Sequence, residues 1–322
     1  MLLWGLAADR FGERLVLGVG LTASGAFLAA AAFTSSFAGL LGLLALAGAA
    51  GSSVQSASGR AVMHWFAASQ RGLALGIRQT AIPLGGLVAA LTLPGLDVSA
   101  AFILLASLSM AGALAGVLVL REGAAGDRIE AHSVRSTLRD GKLWRLCFGS
   151  GIYLYAQVAV IGFGVLFLHE DHGLSVQSAA FVLAASQVLA VAMRIGAGRW
   201  SDVVGSRVVP LRQVGIGVAA AMVATAALAN GPVWLLVPVI VLAGGLTMAW
   251  NGLSFTAAAE LAGPARSGAA IGFQQTVLSG IGIAAPVLFA ATVSSGSWAV
   301  AFAIAALVPL VGWRGLRPLR AY

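Results

Sequence analysis

Long stretches of apolar residues, separated by short polar connections, dominate the sequence. Because a helix needs about 20 apolar residues to cross the hydrocarbon core of a bilayer, each stretch predicts one membrane-spanning helix. The ten predicted helices cover residues 15–33, 38–59, 72–94, 98–120, 143–168, 175–198, 208–229, 232–259, 267–293 and 297–314. The apolar stub from Met1 to Leu6 is typical of the last turns of a further helix.

The composition agrees with a membrane protein and excludes several other classes. The 322 residues are 59% hydrophobic and 9% charged, against about 25% charged in ordinary soluble chains. A cytosolic enzyme, a disordered chain and a nucleic-acid binder are therefore excluded. The single Cys147 excludes an intrachain disulfide framework and a CxxC metal site, and we expect neither metal nor cofactor. Walker A and HExxH motifs are absent, so ATP-driven transport and membrane catalysis are not indicated.

The distribution of basic residues predicts the orientation in the membrane. The connections alternate between those with several Lys or Arg and those with none, and the basic set should face the cytoplasm. The connections without Lys or Arg are Thr34–Ser36, the turn at Asp97, His169–His172, Asn230–Gly231 and Ser294–Ser297. We therefore expect a multi-pass protein of the bacterial inner membrane with a cytoplasmic C-terminus. Lipid headgroups then account for the net charge of +8 without nucleic acid.

The two parts of the chain resemble each other. Gly5 to Arg14 and Gly198 to Arg207 share the pattern Gly-x-x-x-Asp-x-x-Gly-x-Arg at an offset of 193 residues. Gly76–Thr80 and Gly272–Thr276 align at an offset of 196. Parallel repeats of this kind are typical of one large transporter architecture. The polar stretch 121–142, with a short surface helix expected around Ser133–Arg139, links the parts.

The repeated motif resembles the loop signature of the major facilitator superfamily, Gly-x-Leu-[Ala/Ser]-Asp-Arg-x-Gly-[Arg/Lys]-[Arg/Lys]. The first copy offers Gly5, Ala7, Ala8, Asp9, Arg10, Gly12 and Arg14, with Glu13 at one basic position. The resemblance implies an all-α fold of two parallel-repeat helical bundles, with ten full helices and a partial one. The bundles are residues 1–120, from the end of helix 2 to helix 6, and residues 143–322, helices 7 to 12.

Counting along the repeat gives an expectation about the start of the chain. From Leu143, 59 residues precede Asp202, whereas 8 precede Asp9. We therefore expect helix 1 and most of helix 2, 51 residues, to be missing upstream of Met1. A natural family with ten helices and a stub is the alternative.

The resemblance also implies a cytoplasmic gate, in which the motif Asp joins a charge network that holds one state of the carrier. The implied gate residues are Gly5, Asp9, Arg10, Gly12, Arg14, Gly198, Asp202, Gly205 and Arg207. Glu260, Arg60, Arg71 and Arg266 are candidate partners for them. For the three arginines, however, we favour a solvated charge that only sets the topology.

Two arginines fall inside predicted helices, where a charge indicates function. Arg194 lies eight residues before Asp202, about 12 Å into the membrane. That spacing resembles the anion-binding arginine of nitrate/nitrite porters and oxalate/formate exchangers; snorkelling is the alternative. Arg78 lies about 10 Å deep by the same measure, and the segment Arg71–Thr80 resembles nitrate/nitrite porters and organic-anion exchangers weakly. A buried structural arginine is the favoured alternative for Arg78.

Neutral polar residues complete the predicted substrate path. The candidates, besides the two arginines, are Gln55, Gln79, Tyr153, Gln157, Asn251 and Gln275. Interhelical hydrogen bonds alone would also explain such residues. Since no Asp, Glu or His lies inside a predicted helix, a proton-coupling group is not visible.

These observations predict a monomeric carrier of a small-molecule substrate that works by alternating access. The arginines favour a small organic or inorganic anion as cargo. Two alternatives remain open: a carrier of neutral solutes or drugs with the same fold, and a truncated relative that does not transport and serves as a membrane interaction protein.

Overall fold

The computed structural model describes residues 1–120 and 137–319, and these ranges contain helices, turns and loops but no β-strand. The predicted linker lies outside the described residues up to position 136, as does most of the helix expected at Ser133–Arg139. The main helices are α1 (Leu2–Phe11), α2 (Glu13–Ala31), α3 (Phe37–Gly51), α4 (Ser53–Trp65), α5 (Arg71–Gln79), α6 (Ala81–Thr92), α7 (Val98–Val119), α8 (Gly141–Gly151), α9 (Tyr153–Gln157), α10 (Gly164–Glu170), α11 (Val176–Val204), α12 (Val208–Ala227), α13 (Val233–Thr247), α14 (Trp250–Ala262), α15 (Ser267–Ser295) and α16 (Trp298–Gly315).

Among the described residues, nine helical stretches are long and apolar enough to cross a membrane. A tenth is added if Gly141–Gly162 and Gly164–Glu170, which meet at a bend of 41°, count as one span. The all-helical, polytopic architecture expected from the apolar stretches is therefore confirmed. The apolar stub at the start of the chain is also helical and forms part of α1.

Several of the predicted continuous helices are in fact interrupted. The stretch 72–94 breaks at Thr80, between α5 and α6. Pro83 explains this break, because it has no N–H group to donate to the carbonyl of Gln79 four residues earlier. The stretches 38–59 and 232–259 are also divided, between α3 and α4 and between α13 and α14.

The predicted helix 143–168 departs most from a regular helix. After α8 and α9 the chain forms one turn of π-helix, Val158–Gly162, and then bends at Phe163 before α10 begins. Single π-helical turns of this kind are typical of functional sites and of kinks. The predicted membrane span is therefore bent and interrupted rather than one regular helix.

Close packing divides the described residues into two units. Unit 1 consists of the described residues of Met1–Ala67, Val88–Asp140 and Ala262–Thr276. Within it α2 packs against α3 and α7. Two hydrogen bonds fix α1 at longer range: Nε1 of Trp4 donates to the carbonyl of Ala49 (2.7 Å), and the backbone N–H of Leu2 donates to the hydroxyl of Thr276 (3.2 Å).

Unit 2 consists of the described residues of Ala68–Leu87, Gly141–Leu261 and Val277–Tyr322. Within it α11 packs against α5 and α13, and α12 packs against α16. An aromatic cluster fills its interior, with ring centres 5.0–6.3 Å apart; it includes Phe167, Phe289, Trp298 and Phe302. The units follow packing rather than chain order, so they do not test the predicted bundles 1–120 and 143–322, which stay a prediction.

Candidate functional site

The first copy of the repeated motif belongs to a cluster of charged side chains in unit 1. We call it the first carboxylate cluster: Asp9, Glu13, Arg60 and His64. The carboxylate of Asp9, in α1, accepts hydrogen bonds from the backbone N–H groups of Gly268 (3.0 Å) and Ala269 (2.7 Å). These donors lie in the first turn of α15, where N–H groups have no helical partner and the helix dipole attracts negative charge. Asp9 therefore caps α15.

Arg60 joins the two acidic side chains of this cluster. Its Nε lies 3.1 Å from Oδ1 of Asp9, and its Nη1 donates to Oε2 of Glu13. Oε1 of Glu13 lies 3.5 Å from Nδ1 of His64. Because Arg60 is only 8% exposed and pairs with two carboxylates, its interpretation as a solvated charge was wrong. Glu13, which departs from the basic residue of the signature, is explained by the same pairing.

Two glycines let α1 and α15 approach closely enough for this cap. A Cβ on Gly5 would collide with the carbonyl oxygen of Gly268 and lie 2.9 Å from the Cα of Ala269. A Cβ on Gly268 would lie 2.6 Å from Oδ1 of Asp9. Such distances exclude any side chain larger than hydrogen unless the helices move apart. The motif glycine, Gly5, therefore allows α1 to lie close enough to α15 for Asp9 to accept these hydrogen bonds.

The second copy of the motif forms an equivalent arrangement in unit 2, the second carboxylate cluster: Asp202, Arg207 and Glu260. Asp202 accepts hydrogen bonds from the backbone N–H groups of Gly72 (3.0 Å) and Leu73 (2.8 Å), in the first turn of α5. Nη1 of Arg207 lies 2.5 Å from Asp202. Its Nε and Nη2 each donate to one oxygen of Glu260 at 3.0 Å, a bidentate pair.

The two clusters are related by the sequence repeat, and each joins opposite sequence halves. A Cβ on Gly198 would collide with the carbonyl oxygen of Gly72, as in the first cluster. Asp9, from the first half, caps a helix of the second half; Asp202, from the second half, caps a helix of the first. The repeat thus produces a reciprocal pair of helix caps, in which Gly72 and Gly268 are equivalent.

The remaining motif residues lie at the edges of these clusters. Gly12 (φ 88°) and Gly205 (φ 68°) stand at helix ends with a positive φ, which residues with a Cβ rarely adopt. Arg10 and Arg14 are exposed, and the Arg10 guanidinium lies 5.2 Å from the ring centre of Phe11. Neither arginine joins a carboxylate cluster in the part of the chain that the structure describes.

The other predicted partners of the motif differ in the contacts they make. Glu260 pairs with Arg207, within the second sequence half, and its role in a gate stays a prediction. Nε of Arg266 donates to the carbonyl of Ala262 (3.2 Å), four residues earlier. Arg71 is half-buried at the start of α5.

Asp9 is the titratable group of these clusters that burial affects most clearly. It lies outside the candidate membrane spans, and burial raises the pKa of its carboxyl from 3.8 to about 6. The hydrogen bonds from Ala269 and Gly268 and the charge of Arg60 lower the pKa, but they do not outweigh burial. The folded protein therefore binds this proton more tightly than the unfolded chain. The carboxyl's contribution to stability is greatest below pH 3.8 and is lost as the pH rises through about 6.

We expect the Asp9 carboxyl to titrate near pH 6 in the purified protein. Its protonated C=O band in the infrared spectrum should disappear between about pH 5 and pH 7 and be absent from Asp9→Asn. Arg60→Gln removes the neighbouring positive charge, so it should move the midpoint upward by about one pH unit. A titrating band that persists unchanged in Asp9→Asn would contradict this assignment.

Arg194 is the buried cation of the predicted substrate path. It lies in α11 of unit 2 and is 1% exposed, so the snorkelling interpretation was wrong. Its Nε donates to the carbonyl of Met248 (3.0 Å), and its Nη1 donates to the carbonyl of Gln79. Both carbonyls stand at helix breaks. Pro83 has left the Gln79 carbonyl without its helical donor, so the break supplies an acceptor for the guanidinium.

The positive charge of Arg194 has no counter-ion in the part of the chain that the structure describes. Among the described residues no carboxylate forms an ion pair with its guanidinium, and Nη2 has no hydrogen-bond partner. The helices are close here: a Cβ on Gly76 of α5 would lie 2.6 Å from the Arg194 carbonyl oxygen. A buried charge without a counter-ion is costly by several kcal/mol. The geometry therefore leaves the Nη2 amino group, which carries two N–H donors, without an acceptor among the described residues.

Other predicted path residues lie near the carbonyls that hold Arg194. Nη1 of Arg78 donates to Oε1 of Gln79 (3.1 Å), and Arg78 is half-buried. Several uncharged polar atoms of unit 2 have no partner in the described part of the chain: Nε2 of Gln79, the hydroxyl of Tyr153, Oε1 of Gln157, Nε1 of Trp250 and Oδ1 of Asn251. By contrast, Gln55 and Gln275 are half-buried residues of unit 1. Their predicted role in substrate binding stays a prediction.

A helical, polytopic fold with an internal sequence repeat is typical of membrane transport proteins. The sequence model of the Major Facilitator Superfamily matches residues 1–286 of this chain. The chain therefore belongs to the Major Facilitator Superfamily, and the resemblance seen in the repeated motif is confirmed.

Similar proteins agree with this membership. Two relatives from Mycobacterium tuberculosis, each described as an uncharacterized MFS-type transporter, are 36% and 35% identical over 318 residues. Each match covers 96% of this chain and 71% of the relative. The crystal structure of the human organic anion transporter MFSD10 (TETRAN) has a TM-score of 0.83 at 16% identity, covering 98% of this chain and 79% of that one. The crystal structure of the E. coli fucose:proton symporter FucP has a TM-score of 0.77 at 17% identity, covering 98% of this chain and 86% of that one. These structures show the fold, and the chain is a multi-pass membrane transporter.

Proposed function

We propose that this protein is a secondary transporter of a small organic or inorganic anion, which it moves by alternating access. The observation that carries the proposal is the buried guanidinium of Arg194. Two backbone carbonyls hold it in place, no carboxylate of the described residues neutralises it, and its Nη2 has no partner there. A bound anion would supply both the missing charge and the missing acceptor.

A neutral cargo fits this site less well. An uncharged solute could accept a hydrogen bond from Nη2, but it would leave the buried positive charge without a counter-ion. The structural neighbours do not decide between the two cargoes. MFSD10 is described as an organic anion transporter, whereas FucP is described as a fucose:proton symporter. The argument for an anion therefore rests on Arg194.

The carboxylate clusters fit the role of a gate. Each joins a motif carboxylate to the N-terminus of a helix from the other sequence half, and both consist of contacts that can break without unfolding a helix. We place them on the cytoplasmic side of the bacterial inner membrane, with the C-terminus, because the basic connections lie at the same helix ends. A monomer is sufficient for this mechanism.

Direct binding to the purified protein tests the proposed cargo. Sodium salts of nitrate, formate, oxalate, benzoate and sulfate would be compared with fucose and xylose at constant ionic strength. The readout is the thermal midpoint of unfolding in detergent. An anion at about 100 times its Kd should stabilise the protein by about 2.7 kcal/mol, whereas the sugars should not.

Two variants of the same helix make this test specific. Arg194→Gln should lose the stabilisation by the anion, whereas Arg199→Gln, an exposed residue of α11, should keep it. Stabilisation by a sugar but by no anion would favour a carrier of neutral solutes. Stabilisation by none of these compounds, together with no uptake into proteoliposomes, would favour a protein that does not transport.

A further inference from the structure

A groove on the surface of unit 2 has no place in the transport mechanism described above. It runs along α8 as far as Ile152, beside the last turns of α16, and has a volume of about 720 Å³. Its main side chains are Trp144, Arg145, Phe148, Ile152, Val311 and Arg314. All described elements that form it belong to unit 2, so the groove is a property of that unit alone.

Glycines and stacked aromatic rings shape the groove. A Cβ on Gly149 would lie 3.0 Å from the side chain of Leu316, and one on Gly312 would collide with the carbonyl oxygen of Gly149. This close approach joins α8 to α16 along the groove. One wall is the pair Trp144 and Phe148, whose rings stack with centres 5.3 Å apart at 13°. The groove is therefore a preformed feature of two packed helices.

The charges of the groove all have one sign. Arg145 and Arg314 are exposed, and neither guanidinium has a hydrogen-bond or ion-pair partner among the described residues. None of the described residues that line the groove is acidic. Both arginines stand near the end of their helix, one in the second turn of α8 and the other in the last turn of α16. Phe148 and Val311, one helical turn further from these ends, are exposed and apolar.

We propose that this groove binds a phospholipid with an anionic headgroup, such as phosphatidylglycerol. The phosphate would pair with Arg145 and Arg314 at the helix ends, and an acyl chain would lie along Phe148, Ile152 and Val311. Basic pockets between membrane helices are suited to anionic headgroups, and an aromatic residue at helix ends is typical of the membrane interface. A soluble anion would leave the apolar length of the groove uncovered, and a zwitterionic lipid would gain less from two arginines.

The test compares two lipids with identical acyl chains on the delipidated, full-length protein in detergent. Native mass spectrometry would count bound dioleoyl-phosphatidylglycerol and dioleoyl-phosphatidylcholine over a range of lipid concentrations. Two guanidinium groups near an anionic headgroup should favour phosphatidylglycerol about tenfold to thirtyfold. The double variant Arg145→Gln, Arg314→Gln should bind both lipids about equally, whereas Arg199→Gln should keep the preference.

A second variant tests the groove itself without changing its charge. Gly315 lines the groove, its φ is not positive, and a Cβ there would meet no atom within 4 Å. Gly315→Phe should therefore fold normally, fill the groove and weaken the binding of both lipids. Equal binding of the two lipids by the wild type would overturn the proposal. So would competition by glycerol 1-phosphate as effective as that by the lipid, which would indicate a site for soluble anions.

Discussion

Replacing Arg194 with glutamine should reduce uptake of the transported anion into proteoliposomes by about 100-fold or more. In the proposed complex Arg194 and the bound anion form a buried ion pair, and removing one partner of such a pair costs about 3–5 kcal/mol, which corresponds to a factor of this size. Glutamine also lacks the forked guanidinium that donates to Met248 and Gln79. The measurement is the initial rate of uptake of the radiolabelled anion that stabilises the wild type most strongly, at a concentration below its KM.

Arg194→Lys separates the charge from the geometry. Lysine keeps a positive charge, but it donates from a single nitrogen and cannot reproduce a planar fork held between two carbonyls. We expect uptake between that of the wild type and that of Arg194→Gln. Arg199→Gln serves as the matched control, since Arg199 is exposed on the same helix. Normal uptake by Arg194→Gln in a well-folded preparation would contradict the anion site.

The second large effect is expected at Gly198, in the second carboxylate cluster. A Cβ at this position would collide with the carbonyl oxygen of Gly72 and lie 3.2 Å from the Cα of Leu73. Gly198→Ala must therefore push α5 away from α11 and lengthen the hydrogen bonds that Asp202 accepts from α5. Overpacking of this kind costs about 1–3 kcal/mol, and we expect a lower thermal midpoint together with loss of uptake.

Gly196, two residues earlier in α11, is the matched control for this prediction. It is exposed, and a Cβ there would meet no atom within 4 Å. Gly196→Ala should leave stability within about 0.5 kcal/mol of the wild type or raise it slightly, because alanine favours helix more than glycine does. If the two alanine variants melt at the same temperature and transport equally, the close approach of α5 and α11 is not required for stability or transport.

The sequence was sufficient to predict the membrane-spanning helices and to locate the two motif turns, because both depend on local patterns. Apolar stretches of sufficient length determine the spans, and the spacing of Gly, Asp and Arg identifies the two turns. The helix breaks were missed because apolar length dominates such a prediction. Pro83 is visible in the sequence, but its main effect is not. It leaves the Gln79 carbonyl free to accept a hydrogen bond from Arg194, more than 100 residues away in α11.

The partners of the motif were harder to predict than the motif itself. Arg60 was predicted to be a solvated charge that only sets the membrane topology, because basic residues at cytoplasmic helix ends commonly have that role. The backbone donors of Gly268 and Ala269 carry no side-chain signal. One signal did exist: the offset of 196 residues that aligns Gly76 with Gly272 also aligns Gly72 with Gly268. Extending the repeat by one helical turn would have found both caps together.

The reciprocal caps also bear on how the chain could be divided. A fragment ending at residue 120 would contain Asp9 but neither Gly268 nor Ala269, and a fragment starting at residue 143 would contain Asp202 without its donors in α5. Each fragment would thus expose a carboxylate and a glycine surface that only the other can cover. The two halves are complementary pieces, and a split protein would regain both clusters by reassembly rather than by the separate folding of its parts.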